Sequence, residues 1–486
     1  MEEVIAERFL QQLRTIGDPL LDDRGGAGGA DVRAELAYIQ EVRERGIVDL
    51  ADRVEAHAPA APSATKQREE YIKELRRAVR GRLALDGTGP PRAGGPPPIA
   101  LFRPPDAGEA RRRARLAADA EAFREAQELF GRYSTEISAA LLLAALPQTY
   151  ATRWGPSVLV ATGGLVTGLR RRIRGTAQFL MRVMTAPKGP ARSPREPWAD
   201  AVSAAVELRV LHHSIRTGLS PQARRKARKL GLVAPGPGEG HDVPLNQEDL
   251  LGTLLTFTVT VFEVLEQFGI TWTRDEQEAY LRAWDKVGAF LGIGDADVMA
   301  KLQQKTGAED KEILPPGWTT LRPPTVAAAR AMMAAFRERH WIPIEPWTGR
   351  NGPGASSPLS AEWESLRPGR LLTSALLDEL AAAMTPRTRA LPSILMRTLA
   401  PPVVRDRLAL GAGGMLQALA DGMPRRHVRQ DGFTVVTPTA TFAAPALRQT
   451  ANYVVRKTFL HFLQDGEHFS LPGFTPEWQS DLLAAR

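Results

Sequence analysis

NQEDLLGTLLTFTVTVFEVLEQFG, residues 246–269, is apolar at most positions from Glu248 onward. A run this long outlasts an ordinary strand, and its apolar residues fall on all sides. It therefore predicts one helix over Glu248–Gly269, buried all round. Asn246 stands where an N-cap is needed, and Asp249 three residues on makes a weaker form of the capping box. A helix without a polar face needs other helices to cover it, so the chain has to fold as a many-helix assembly.

The same reading extends outward. Upstream, VAPGPGEGHDVPL (233–245) is a loop; downstream, Asp275–Leu291 is a helix ended by Gly292. GIGDAD (292–297) follows a helix rather than a strand, so it reads as a helix stop and not as a phosphate cradle. Further helices are predicted over Val326–His340, between Pro/Gly loops at 313–325 and 345–359, and at about 371–384, 402–420 and 446–464. On the N-terminal side, a helix starts near Pro197 and runs to about Leu219, and Ala107–Ala186 is helical. The uncharged runs Ile137–Thr152 and Trp154–Leu169 are too short to cross a bilayer and contain Pro147 and Gly163–Gly164, so they read as buried core helices. Val4, Ile5, Phe9, Leu10 and Leu13 recur at helix spacing within a helical stretch to residue 85, and DGTGPPRAGGPPPIALFRPPD (86–106) is a linker. Only Phe433–Thr437 and Thr439–Phe442 look like strands, able to pair as one hairpin. The expected fold is all-α with at most one small β-hairpin near the C-terminus. It divides into an N-terminal helical extension and linker (1–106), a core (107–425) and a C-terminal extension (426–486).

Composition narrows the function classes. The chain has 486 residues, of which 43% are hydrophobic and 24% charged, as in an ordinary globular protein with a large core. There is no cysteine, which removes disulfides, thiolate nucleophiles, Cys-zinc sites and iron–sulfur clusters. The formal charge is +8, and only 10 of 63 basic residues are Lys. No basic stripe with interleaved aromatics is present, so nucleic acid is not an expected partner. No transmembrane segment is expected either. The N-terminus, MEEVIAERFLQQLRTIGDP, lacks the pattern of a signal peptide, so the expectation is a cytoplasmic protein as the sequence stands, or a secreted one if an export signal has been removed.

The sequence contains no GxxxxGK[ST], HExxH or GxSxG, and no pair among its eight histidines has i,i+4 spacing. One histidine stands out through its neighbours. In ELRVLHHSIRTGL (207–219), Leu208, Leu211, Ile215 and Leu219 form an apolar stripe. Arg209, His212 and Arg216 stack beside it at i−3, i and i+4. An imidazole for iron, an apolar wall for a macrocycle and cations for its propionates are what a haem requires; an amphipathic helix with a basic rim has the same pattern. In SVLVATGGLVTGLRRRIRGTAQFLMRVM (157–184), Arg172, Thr176, Phe179 and Leu180 share a face. Arg172 and Thr176 could form a pocket that hydrogen-bonds dioxygen, or be a salt-bridged Arg and a Thr bonded to its own backbone. Gly163, Gly164 and Gly168 would allow close approach of a helix or a flat ligand.

Seven strings in order, RTIGDPLLDD (14–23), LPQTYA (146–151), RRIRGTAQF (171–179), RVLHHSIR (209–216), NQEDLLGTLLTF (246–257), YLRAWDKVGAFLGI (280–293) and LLTSALLDEL (371–380), resemble the MpaB-like oxygenases, which include the bacterial latex-clearing proteins or rubber oxygenases. The resemblance implies a haem b (iron) oxygenase with a globin-like helical core and additional surrounding helices. The family's axial imidazole lies in an RxxHxxxR pattern, which maps onto Arg209, His212 and Arg216: His212 as iron ligand, the two arginines neutralising propionates or bracing the haem. Its distal Arg and Thr map onto Arg172 and Thr176. Rubber oxygenases also carry a Lys just before that Thr and a distal acid upstream; Gly175 and Pro156–Ser157 stand at those positions here.

The resemblance implies a haem-dependent oxygenase that takes dioxygen and a hydrophobic, unsaturated, isoprenoid-like substrate, small molecule or polymer, with oxidative cleavage of a carbon–carbon double bond as the family's chemistry. Two alternatives stay open: a haem-dependent oxidase or peroxidase-like tailoring enzyme on a small metabolite, and a non-enzymatic helical binding protein.

Overall fold

The structure, a computed structural model, describes residues 4–19, 109–152, 155–161, 169–185, 197–218, 243–341, 358–408, 410, 425–430, 433–438 and 443–464. The linker at 86–106, Gly163, Gly164 and Gly168, and Leu219 lie outside them. The described chain is helical apart from one hairpin, as expected. In order come α1 (Glu7–Leu13), α2 (Glu109–Ala140), α3 (Leu146–Tyr150), α4 (Gly155–Ala161), α5 (Leu169–Met184), α6 (Ala199–Gly218), α7 (Gln247–Thr256), α8 (Val259–Gln267), α9 (Arg274–Phe290), α10 (Ala296–Thr306), α11 (Asp310–Ile313), α12 (Val326–His340), α13 (Pro358–Ala382), α14 (Leu391–Leu399), α15 (Pro402–Leu408), β1 (Arg425–Gln430), β2 (Phe433–Pro438) and α16 (Ala443–Gln464). Among the described residues, no helix is long and apolar enough to cross a membrane.

The apolar stretch at 246–269 sits in the core but as two helices, not one. Asn246 caps α7 by accepting from the Asp249 backbone N–H at 3.0 Å, as its position predicted. The ladder breaks at Phe257–Thr258, where the Thr258 hydroxyl turns back onto the Leu255 carbonyl at 3.2 Å and α8 restarts. Two consecutive β-branched or aromatic positions with a competing hydroxyl explain the break, which hydrophobicity alone does not show.

Helix α2 is the longest element and the frame for the rest. Lys286 on α9 donates to Asp119 at 2.5 Å. Glu136, nearly covered, accepts from Arg448 (2.8 Å) and Asn452 (2.9 Å) on α16. Gln127 reaches the Val183, Thr185 and Pro197 carbonyls, which ties the end of α5 and the start of α6 to the same helix. Between α2 and α3, Leu141–Ala145 forms a fully buried π-helical turn. Its extra residue rotates everything after it by about 100° relative to a continuous α-helix. Pro147, with no N–H to give back to the preceding turn, stands just beyond it.

The first described segment belongs to the same core. Ile5, Phe9, Leu10, Leu13 and Ile16 are all buried. Beyond α1 the backbone docks on the start of α7: Val243 N–H donates to the Arg14 carbonyl and Gln247 N–H to that of Ile16, both at 2.9 Å. The Gln247 side chain bridges further, donating to Gly17 (2.6 Å) and Gly292 (3.1 Å) carbonyls and accepting from Gly294 N–H at 2.9 Å. Arg14 pairs with Glu248 at 3.1 Å in the interior.

The hairpin differs from expectation on one side. β2 is the predicted strand, but its partner is upstream, in register Gln430↔Phe433 to Arg425↔Pro438. RRHVRQ carries no apolar alternation, which hides it from a hydrophobicity pattern. The signal is the Asp431–Gly432 pair between the strands, the dipeptide that two-residue hairpin loops favour. Thr439–Phe442 lies outside the described residues. α10 and α14 were not expected; the first is announced only by Asp295, which caps it by accepting from Val298 N–H at 3.1 Å.

Candidate functional site

Helices α5 and α6 carry every residue singled out by sequence. Arg182 on α5 forms a two-pronged bond with Glu207 on α6, at 2.6 and 3.0 Å. Ten residues back along α5, the charge of Arg172 acts on His212. α5 thus packs along α6, with Arg172 within electrostatic reach of His212.

The exposure of α6 divides its C-terminal half cleanly. Arg209, His213 and Arg216 are buried. Leu208, Leu211, His212 and Ile215 are only half-buried and occupy one contiguous arc of about 100°. The predicted apolar stripe is therefore the side that keeps accessible surface, and the two arginines are turned into the protein. His212 lies deep, yet part of it is not covered by other atoms. Burial, then the charges of Arg216 and Arg172, push its imidazole down to about 3 against the pull of Asp18. It is neutral at ordinary pH, and neither ring nitrogen has a hydrogen-bond partner among the described residues.

Arg209 is held by Asp18, which accepts from Nε at 2.5 Å and Nη2 at 2.7 Å. Both side chains are all but fully covered. Burial alone would lower the guanidinium's pKa; Asp18, with help from Asp295 and Asp297, reverses that and raises it. The Arg209 head lies against Gly292, whose φ of 72° favours glycine. A β-carbon there would stand 2.3 Å from Arg209 Nη2. Gly292→Ala must therefore displace the guanidinium from Asp18 and strain the backbone. The expected cost is on the order of 2 kcal/mol or more, read as a lower denaturation midpoint. Arg216 reaches the carbonyl of Leu245 at 3.5 Å, a residue itself at φ 52°.

Asp295 completes this buried cluster, 3.8 Å from Arg209 Nη2. Burial pushes its carboxyl up to about 6, beyond what Arg209 takes back. An acid whose folded pKa is raised favours folding when protonated in both states. That contribution is present below about 3.8 and is lost as pH climbs through about 6. Asp295→Asn keeps an N-cap of equal quality and removes the charge. The variant should be the more stable protein at pH 8, with the advantage shrinking toward pH 5, as measured by denaturant unfolding at both values.

On α5, Leu169, Ile173, Leu180 and Met181 are buried, whereas Arg172, Gly175, Thr176 and Phe179 form a half-buried arc. The described residues supply no salt-bridge partner for Arg172 and no backbone bond for Thr176. Thr149, Thr253, Thr373 and Thr458 all bond back to the carbonyl four residues earlier, at 2.7–3.0 Å. Among the described residues Thr176 has no such bond, and Arg172 has neither a hydrogen bond nor an ion pair. A β-carbon at Gly175 would meet nothing within 4 Å, so the space where a Lys could reach is open. Pro156 is buried and offers no acid.

Two residues were missed by sequence reasoning. Asp18 lies in a quoted string, but an Asp before Pro reads as a turn residue, and nothing local reveals a partner 191 positions away. Tyr150 is the fifth residue of the string LPQTYA; it is buried, and among the described residues its hydroxyl has no hydrogen-bond partner.

The chain is similar to known proteins in sequence and in fold. The sequence model described as the ER-bound oxygenase mpaB/B′ and rubber oxygenase catalytic domain matches residues 132–456. A rubber oxygenase from Streptomyces sp. (strain K30) is 26% identical over 120 residues, 25% of this chain and 27% of that protein's own length. A solved structure of latex clearing protein LCP in the closed state superimposes with a TM-score of 0.50 at 17% identity, covering 91% of each chain; this likeness speaks to the fold.

Proposed function

The chain belongs to the family of ER-bound oxygenase mpaB/B′ and rubber oxygenase catalytic domains, and from that premise we propose that it is a haem b-dependent oxygenase acting on a hydrophobic, unsaturated, isoprenoid-like substrate. One observation carries the reading: the accessible arc of α6 is apolar around a neutral His212 whose ring nitrogens have no partner among the described residues. A neutral imidazole with a free nitrogen is the form that ligates iron, and the leucine and isoleucine beside it offer the apolar surface a macrocycle needs. Arg172 and Thr176 on α5, without hydrogen-bond partners among the described residues, supply hydrogen-bond donors. The residues present thus fit the group.

His212 would hold the iron, and Arg216 would sit nearest the propionates. Arg209, engaged by Asp18, takes the bracing role of the two that the resemblance allows. Bound haem would supply activation of dioxygen. Arg172 and Thr176 would orient the oxygen and exclude water, and the apolar arc would hold the substrate's hydrocarbon. No carboxylate from Pro156–Ser157 and no amine from Gly175 is available to move a proton. That observation favours a second reading, a haem-dependent oxidase or peroxidase-like enzyme on a small metabolite. Absorption spectra of purified protein, oxidised and dithionite-reduced, test the haem. Products formed under labelled dioxygen test the chemistry: two carbonyl fragments each carrying label support cleavage, and unlabelled products support the oxidase.

A further inference from the structure

Most of the chain's positive excess is gathered on two stretches that the preceding reading leaves unused. Residues 380–405 contain four Arg and no acidic residue; α16 (Ala443–Gln464) contains two Arg, one Lys and no acidic residue. Seven cations without an acid stand there against a formal charge of +8 for the whole chain, so the remainder is nearly balanced. The two stretches are apart in sequence, and the fold joins them: the hydroxyls of Thr388 and Tyr453 meet at 3.5 Å. Arg387 and Arg389 flank Thr388, and Arg456 and Lys457 lie one turn beyond Tyr453 on α16. The Lys457 ammonium stands 5.8 Å from the centre of the Tyr453 ring. Four cations therefore gather around one contact. Arg387, Arg389 and Arg456 are exposed and Lys457 is half-buried; among the described residues none of the four has an ion pair. Elsewhere arginines are answered, as Arg448 is by Glu136, Arg182 by Glu207 and Arg337 by Glu263. The turn that carries Arg387 and Arg389 is well fixed. The Thr385 and Thr388 hydroxyls bond each other at 2.8 Å, and the N–H groups of Thr388 and Leu391 donate to the Thr385 and Thr388 carbonyls, both at 3.0 Å. Leu391 and Ile394, half-buried and three apart on α14, add apolar surface next to it. A cationic face without acids, interspersed with a few apolar side chains, suits the headgroup region of an anionic bilayer. One aromatic, already covered by Lys457, offers no series of stacking platforms for the bases of a nucleic acid. The same elements brace the site: Arg170, two residues before Arg172, donates to Glu379 on α13 and meets His461 Nε2 on α16 at 3.0 Å.

We propose that the 385–391 turn and α16 form a docking surface for anionic phospholipid membranes, with Arg387, Arg389, Arg456 and Lys457 meeting the lipid phosphates. The surface stands on its own charges and geometry. Its purpose rests on the proposed function: a hydrophobic, isoprenoid-like substrate dissolves in bilayers, and docking through elements that brace α5 would bring the site to its supply.

The test is co-sedimentation of the purified full chain with vesicles of phosphatidylcholine alone and of phosphatidylcholine with about one-third phosphatidylglycerol, at about 0.1 M salt. Binding is expected to the anionic vesicles only, and it should weaken as salt rises. Each cation at such a surface contributes about fivefold, so Arg387→Gln with Arg389→Gln, or Arg456→Gln with Lys457→Gln, should lower the partition coefficient about 25-fold. None of these side chains has an ion pair to lose among the described residues, so the unfolding transition should stay where it is. The control is Lys305→Gln with Lys311→Gln, an equal loss of charge at exposed positions on α10 and α11, which should leave binding unchanged. No binding to the anionic vesicles, equal binding to both vesicle types, or an equal loss in the control overturns the proposal. Tighter binding of a single-stranded oligonucleotide than of vesicles through the same four residues also overturns it, and makes the surface a nucleic-acid site. Sedimentation needs no haem. A protein that binds vesicles and takes up no haem keeps this surface and loses the haem reading; one that takes up haem and ignores anionic vesicles does the reverse.

Discussion

Replacing His212 by Ala should abolish haem retention: the Soret band of the parent protein, after haem supplementation, disappears in the variant. The reason is that among the described residues no three His, Asp or Glu side chains converge as a direct metal-ligand cluster. A single imidazole would suit an iron whose remaining protein-independent ligands come from a porphyrin. The fold should survive the change. The ring makes no hydrogen bond that would be orphaned, and it is only half-covered, so stability in the absence of haem should move by no more than about 1 kcal/mol. Loss of the band with an unchanged unfolding transition, and its partial return on adding free imidazole, would mark His212 as the ligand. Normal haem content in His212→Ala would sink the assignment.

The second large effect is expected at the buried ion pair behind the site. Asp18→Ala removes the carboxylate that meets Arg209 with both oxygens and, among the described residues, leaves the buried guanidinium with the Phe290 carbonyl at 3.4 Å, Asp295 at 3.8 Å and the charge of Asp297. Breaking a buried pair by deleting one member costs about 3–5 kcal/mol. The denaturation midpoint should fall accordingly at unchanged slope. Haem should also be lost faster, because Arg209 lies three residues from His212 and fixes its turn of α6. A double replacement, Asp18→Ala with Arg209→Met, should recover much of the stability, since no charge is then stranded. Failure of that recovery would mean the cost lies in the backbone of residues 14–18 rather than in the ion pair.

How much of this was visible in the chain depends on whether the cause is local. Helix α12 was predicted over Val326–His340 and is found there, because Thr325 caps it and its pattern is regular. The Asn246 cap and the Gly292 stop were equally legible, each being a property of a few consecutive residues. The break at Phe257–Thr258 was not, since it turns on a hydroxyl competing with the ladder inside a run that hydrophobicity paints as uniform. At the site, spacing placed Arg172, Thr176 and His212 on the right helices. It could not say which side of α6 would be covered, because a helical wheel records neighbours and not depth. Whether the apolar stripe or the arginine side would be covered stayed open in the sequence; the structure buries Arg209 and Arg216, which Asp18 and the Leu245 carbonyl draw inward. Such partners lie tens to hundreds of positions away and leave no periodic trace.

That long-range clasp also sets an order of events during synthesis. Asp18 leaves the ribosome well before its guanidinium partner, and Gln247, Gly292 and Asp295, which cradle the same turn, emerge later still. The leading segment must therefore wait, solvent-exposed, while the helices it will fasten are made, and closing so large a loop is among the slower steps a chain can take. On the proposed function, the rate of haem uptake, compared between refolding and finished protein, would time the closing of the clasp.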